Sequence, residues 1–152
     1  MPSLKIKGDW EVSRKHSALA GDTYFLLIYK MKSNTKIEKQ TRKKSNPELV
    51  ETIRAAKKHN AWKQVAEILS GPRRLRPDVN LSQIEKETKE GDIVVVPGKV
   101  LSQGEVSKKI RVVAFSFSEK AKEKLLKVKS EVSSILHEIK KDPTAKGVKI
   151  LR

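Results

Sequence analysis

Gly91-Asp92-Ile93-Val94-Val95-Val96-Pro97-Gly98-Lys99-Val100-Leu101-Ser102-Gln103-Gly104-Glu105-Val106 is the stretch on which the fold turns. Ile93 to Val96 is an unbroken β-branched run, too short for a helix and bounded by Gly91 and by Pro97-Gly98, which predicts a core strand buried on both faces. Val96-Pro97-Gly98-Lys99 fits a type II turn, because proline presets φ at the second position and glycine supplies the positive φ needed at the third. The chain is therefore expected to double back there, holding Lys99 at the mouth of a rigid turn. Ser102 to Glu105 adds a second glycine-containing turn. An apolar strand, two turns and a presented lysine describe a scaffold rather than a catalytic centre.

Upstream of this stretch, Asn46-Pro47 opens a helix: asparagine caps, proline is tolerated at the first helical position, and Leu49, Val50, Ile53 and Ala56 fall on one face. A short second helix places Trp62, Val65, Ala66 and Leu69 at helical spacing, so Trp62 reads as core rather than as a platform for stacked bases. Asn80 and Gln83 form a capping-box-like pair for a third helix ending near Gly91. Downstream, Lys108 to Phe117 reads as a longer strand with Val112 to Ala114 buried. A helix capped by Ser116 or Ser118 follows, then a short helix from Ser133 or Ser134, and Val148 to Leu151 closes the chain as a strand.

The length of 152 residues bounds one domain with a modest core. Lys and Arg number 34 against 18 Asp and Glu, a net +16, so the compact state repels itself unless a polyanion neutralises it. Five cations and three acids lie in the first thirty residues, which leaves +14 for the rest. With aromatics at 5%, phosphate contact and shape reading of a folded nucleic acid are favoured over rows of stacked bases. The chain has no cysteine, which excludes disulfides, thiolate zinc sites and cysteine nucleophiles, and suits a reducing cytosol. No run approaches the roughly 18 apolar residues of a membrane span.

Catalytic patterns are not found. Gly91 and Gly98-Lys99 have the wrong spacing for a phosphate loop, and Val100 stands where Ser or Thr would hold magnesium. His16, His59 and His137 are scattered without metal-ligand spacing. No Gly-x-Ser-x-Gly elbow occurs. Asp92 beside Glu90 is the one acidic pair at a structured turn, and capping that turn is its ordinary role. The expectation is a protein with no enzymatic activity and no cofactor.

Three groups of cations are candidates for the interface, while Lys120, Lys122, Lys124, Lys127 and Lys129 on the helix after Ser118 fit an RNA-facing and a solvated face equally well. Lys32 to Ser45 carries Lys32, Lys36, Lys39, Arg42, Lys43 and Lys44 against Glu38 alone, with almost nothing apolar, and predicts an extended arm that orders against phosphates. Ser70-Gly71-Pro72 breaks a helix and delivers Arg73, Arg74 and Arg76 in a loop bounded by Pro72 and Pro77. Arginine's planar fork matches phosphate, and the flanking prolines reduce the entropy lost on docking. Lys99 at the turn, with Lys108, Lys109 and Arg111 toward the open end of the later strand, completes the candidate set. The domain expectation is an N-terminal extension over 1–30, an arm over 31–45 and a domain over 46–152. Tyr24 to Tyr29 would be a surface strand in the extension, and Met31 an alternative start.

Asn46-Pro47, Trp62, Pro72-Arg73-Arg74 and Val79-Asn80-Leu81-Ser82-Gln83-Ile84, running into Gly91 to Leu101, together resemble the archaeal and eukaryotic large-subunit ribosomal protein eighteen. Ala114 to Ser118 and Gly147 to Arg152 resemble the same family's later strand and C-terminus. The similarity covers about Met31 to Arg152. It implies a single small α/β domain of irregular β-β-α units, shared with the bacterial-type large-subunit protein fifteen and here preceded by the basic arm. It also implies a structural constituent of the large subunit, in the cytoplasmic ribosome, with large-subunit ribosomal RNA and neighbouring ribosomal proteins as partners, and neither a membrane nor a small-molecule substrate. Two other classes carry comparable charge: a chromatin-like nucleic-acid-binding protein, and an RNA-processing enzyme, which would need a carboxylate or histidine cluster.

Overall fold

A computed structural model describes residues 31–152. The expectations placed on residues 1–30, the Tyr24 to Tyr29 strand and His16 among them, lie outside those residues. Residues 33–152 form one compact unit.

Its centre is β2 (Ile93–Leu101). Within the β-branched run at its start Val94 to Val96 are buried, on both sides of the sheet, and Ile93 partly so, as suits a strand inside a parallel sheet. One edge of β2 pairs with β3 (Arg111–Phe117). The other is shared, β5 (Val148–Ile150) taking Ile93 to Val95 and β1 (Asp78–Asn80) taking Lys99 to Leu101. β4 (Glu131–Ser134) lies beyond β3, and every pairing is parallel.

The expected type II turn at Val96 to Lys99 is not formed; β2 runs straight through Pro97-Gly98. Gly98 lacks the positive φ that turn requires. Between the Val96–Ala114 and Lys99–Ser116 pairs β2 advances three residues while β3 advances two, which is a bulge. Two local facts account for it. Pro97 has no N–H for the ladder, and it sits in the interval between the β5 and β1 pairings. Gly98 is needed for close approach, since a Cβ there would lie 1.9 Å from the Pro77 carbonyl oxygen. The chain reverses only later, where Gly104 adopts a φ of +90°.

Alternation along the strands splits the core. Val94, Val96, Val112 and Ala114 face one layer with α4 (Leu81–Glu87) and α5 (Glu119–Lys127). Val95 and Val113 face the other, against α1 (Asn34–Thr41), α2 (Pro47–Lys58), α3 (Lys63–Ser70) and α6 (Ile135–Lys141). Handedness explains the split. The links from β1 through β4 all step across the sheet in one direction, whereas the β4-to-β5 link steps back past β3 and β2, so right-handed crossovers put α6 on the opposite face. The α/β class is as expected. The short strands β1 and β4 are not legible from hydropathy, and the strand expected from Lys108 starts at Arg111.

Several caps follow the sequence. Asn46 Oδ1 accepts from the Glu48 and Leu49 amides at 3.0 and 3.4 Å, Ser118 caps α5 and Ser134 caps α6. Asn80 does not cap α4 with its side chain. The Ser82 amide donates instead to the Gln103 carbonyl, so the second turn takes over that orphan donor.

The expected extended arm is mostly helix. Ser33 caps α1, and Ile37 and Thr41, four residues apart and hence on one face, are buried, the Thr41 hydroxyl donating to the Ile37 carbonyl at 2.7 Å. Two well-spaced side chains anchor a helix whose remaining surface is polar, with Glu38 pairing to Lys57 of α2 at 3.1 Å.

Candidate nucleic-acid interface

Where β2 and β3 finish, a concavity of about 1130 Å³ opens, and its walls carry Lys43, Lys44, Arg73, Arg74, Arg76 and Lys99 against the single carboxylate of Asp78. Three segments distant in sequence meet here. The C-terminal end of α1 supplies the two lysines, the 71–77 loop the arginines, and the bulged half of β2 supplies Lys99. The sequence reading treated the arm, the loop and the lysine turn separately; the fold puts them on one surface.

The arginine loop is held at both ends. Arg73–Leu75 forms a 3-10 turn between Pro72 and Pro77. At its start the Lys44 Nζ donates to the Gly71 carbonyl at 2.6 Å, and Ser70 Oγ donates to Gln40 Oε1 at 3.3 Å, tying the loop to α1. At its far end the Pro77 carbonyl packs against the Gly98 backbone. Lys44 thus serves as a fastener of the loop. Arg73, Arg74, Lys43 and Lys99 are exposed on the groove.

Arg76 differs from its neighbours. Its guanidinium lies over the Phe115 ring, 5.7 Å from the centroid, and its Nε is buried without a hydrogen-bond partner. Burial first, and the charge of Arg73 second, lower its pKa from the ordinary arginine value, although it stays protonated at neutral pH. The ring contact fixes this guanidinium at the groove wall.

The remaining candidates lie apart from the groove. Lys36 and Lys39 are exposed on α1, and Arg42 pairs with Glu38 at 3.6 Å. Lys108 donates to the carbonyls of Glu85 and Thr88 at 2.8 and 2.9 Å, closing the end of α4. Arg111 bonds Glu131 at 2.7 Å and the buried Glu138 at 3.3 Å, within the fold. Lys109 is exposed at the other end of the sheet. Asp92 accepts from the Lys89 amide at 3.0 Å, the turn-capping role read from the sequence. Among the groove residues that sequence reasoning missed are Asp78, Phe115 and Ser116. Only the pairing of Asp78 and Ser116 with Lys99 brings those two there, and no sequence signal announces it.

Fold and groove together define a small parallel α/β scaffold with a strongly cationic concavity where β2 and β3 finish. Residues 78–133, from β1 into β4, match the family model described as ribosomal proteins 50S-L15, 50S-L18e and 60S-L27A. The chain is 43% identical to the large ribosomal subunit protein eL18 of Archaeoglobus fulgidus over 115 residues, covering 72% of this chain and 98% of that protein. It is 42% identical to the protein of that name from Pyrobaculum aerophilum (64% and 82% covered) and 36% identical to that from Methanothermobacter thermautotrophicus (71% and 94%). The chain belongs to the eL18 family of large ribosomal subunit proteins.

Proposed function

We propose that this protein is a structural constituent of the large ribosomal subunit that binds and stabilises large-subunit ribosomal RNA through the arginine-walled groove. The observation that carries the reading is the convergence of Lys43, Arg73, Arg74, Arg76 and Lys99 on one concave surface with a lone opposing carboxylate. Phosphates crowded where RNA segments meet repel one another, and a fixed array of cations relieves that repulsion without reading base sequence. The loop's prolines and its ties to α1 and β2 keep the arginines arranged before contact, so little conformational entropy is lost on binding. Arg76 would contribute its charge from the groove wall, where its ring contact holds the guanidinium in place. Neighbouring ribosomal proteins are the expected partners on other surfaces. Among the described residues no helix is long and apolar enough to cross a membrane.

Binding of the full chain to large-subunit ribosomal RNA across a potassium chloride titration tests this. If Arg73 and Arg74 each neutralise one phosphate, the variant R73A/R74A is expected to flatten the log–log salt slope by about 1.4–1.8 and to weaken affinity roughly twentyfold at 0.15 M salt. An unchanged slope removes the loop from the interface. Binding duplex DNA as tightly as ribosomal RNA at matched salt would favour the chromatin-like alternative.

A further inference from the structure

The opposite end of the sheet carries a second, smaller concavity of about 320 Å³, lined by Gly91, Lys109, Arg111, Lys129 and Glu131 around the first residues of β2 and β3. Arg111 and Glu131 are occupied with each other at 2.7 Å. Lys109 and Lys129 are exposed, and neither ammonium group is bonded to a carboxylate or carbonyl among the described residues. Gly91 leaves its surroundings open, with nothing within 4 Å of where a Cβ would stand.

Lys129 is held there at a cost. It has a φ of +58°, the left-handed region that side chains rarely adopt. The position is set by the end of α5: the Lys129 amide donates to the Leu126 carbonyl and the Ser130 amide to the Leu125 carbonyl, the bond pair of a Schellman motif. Glycine is the ordinary residue at that position, because it adopts the conformation without a Cβ penalty. A strained lysine stands where an unstrained glycine would close the helix equally well, and it lines the same concavity as Lys109. Strain of this kind concentrates at sites where the side chain has work to perform.

We infer that Lys109 and Lys129 form a second phosphate-binding site, for RNA backbone, at the amino end of the sheet, so that the protein holds RNA at both ends. This rests on the ribosomal RNA reading above. Five or six strand residues at about 3.3 Å each separate the two ends, roughly 20 Å, beyond the screening length of about 8 Å at physiological salt. The two sites should therefore contribute independently to affinity and to its salt dependence.

The test uses the variant K129G in the full chain, with K109Q and R73A/R74A beside it, measured for thermal stability and for ribosomal RNA binding over a salt titration. K129G is expected to raise Tm by about 2–4 °C by relieving the left-handed strain. It is also expected to weaken RNA binding about fivefold at 0.15 M salt and to flatten the slope by about 0.7–0.9. K109Q should flatten it by a similar amount without the gain in Tm. Wild-type affinity and slope in both K129G and K109Q would overturn the site. If R73A/R74A flattens the slope and these two do not, this inference alone falls; if none of the three does, the ribosomal RNA reading falls with it. Loss of retention in the assembled subunit with unchanged RNA binding would assign the two lysines to a protein neighbour and equally overturn the proposal.

Discussion

Gly98→Ala separates a bulge from a turn. A methyl at Gly98 would lie 1.9 Å from the Pro77 carbonyl oxygen, against the 3.4 Å at which ordinary contact begins, so the backbone must open by about 1.5 Å. The obstructing atom is backbone, and Pro77 is tied into the loop ahead of β1, so no side-chain rotation relieves the clash. Overpacking of a fitted site typically costs 1–3 kcal/mol, and a backbone-to-backbone collision belongs at the upper end, about 3 kcal/mol. Taking about 2.1 cal/mol/K per residue over the roughly 120 residues of the compact unit, that corresponds to a fall in Tm of about 10–12 °C. Gly91→Ala is the control. Gly91 has a φ of +83° but open space around it, so it should lose only about 1 kcal/mol to left-handed strain. Paired urea titrations of the two variants measure the difference. If G98A stays within about 1 kcal/mol of wild type, or costs no more than G91A, the close approach that holds the arginine loop against β2 is wrong. Because Arg73, Arg74 and Arg76 ride on that loop, RNA affinity of the folded fraction should fall in the same variant.

Arg111→Met tests whether that arginine serves the fold. It strips the cation from the fully buried Glu138, which should cost about 3–5 kcal/mol in a denaturant titration, with most of the loss recovered in R111M/E138L. Glu38 is expected to report the α1–α2 contact through its pH dependence. The hydrogen bond from Lys57 first, with that residue's charge and then Arg42's, lowers its pKa below the ordinary 4.5. The stabilisation is therefore present above about 4.5 and lost as pH falls through the lower folded value. Carboxyl NMR titration should show the Glu38 midpoint moving back up in Lys57→Met, and an unmoved midpoint would exclude that ion pair.

What could be read from the residues followed the range of the interactions involved. The Asn46 cap and the apolar faces of α2 and α3, Val50 only half-buried, are settled within one or two turns of chain, and of the alternatives offered Ser118 and Ser134 are the caps used. Trp62 is wholly buried, its indole N–H donating to the Asp142 carbonyl at 3.0 Å. Pro97-Gly98 misled because the pair satisfies a local turn rule, whereas the deciding contact comes from Pro77, twenty-one residues upstream. The arm misled for the reverse reason: its lysine count outweighed Ile37 and Thr41, whose helical spacing was present in the sequence. For the groove, the arginine loop was legible as a basic loop between prolines. Its partners were not, since Lys99 and Lys43 join it only through strand pairing and helix docking.

The architecture also constrains where such a protein can act. A parallel sheet covered by helices on both faces offers neither face to a partner, so contacts made through the sheet fall at its two ends. The carboxyl ends of the strands are the usual ligand-binding end of open α/β sheets, and here they carry the arginine groove. The amino ends need a separate reason to hold charge. A glycine at position 129 would close α5 without strain, so helix closure alone does not call for a lysine there. With the site proposed at Lys109 and Lys129, stability and binding are opposed at one residue, and K129G is expected to fold better while binding RNA more weakly.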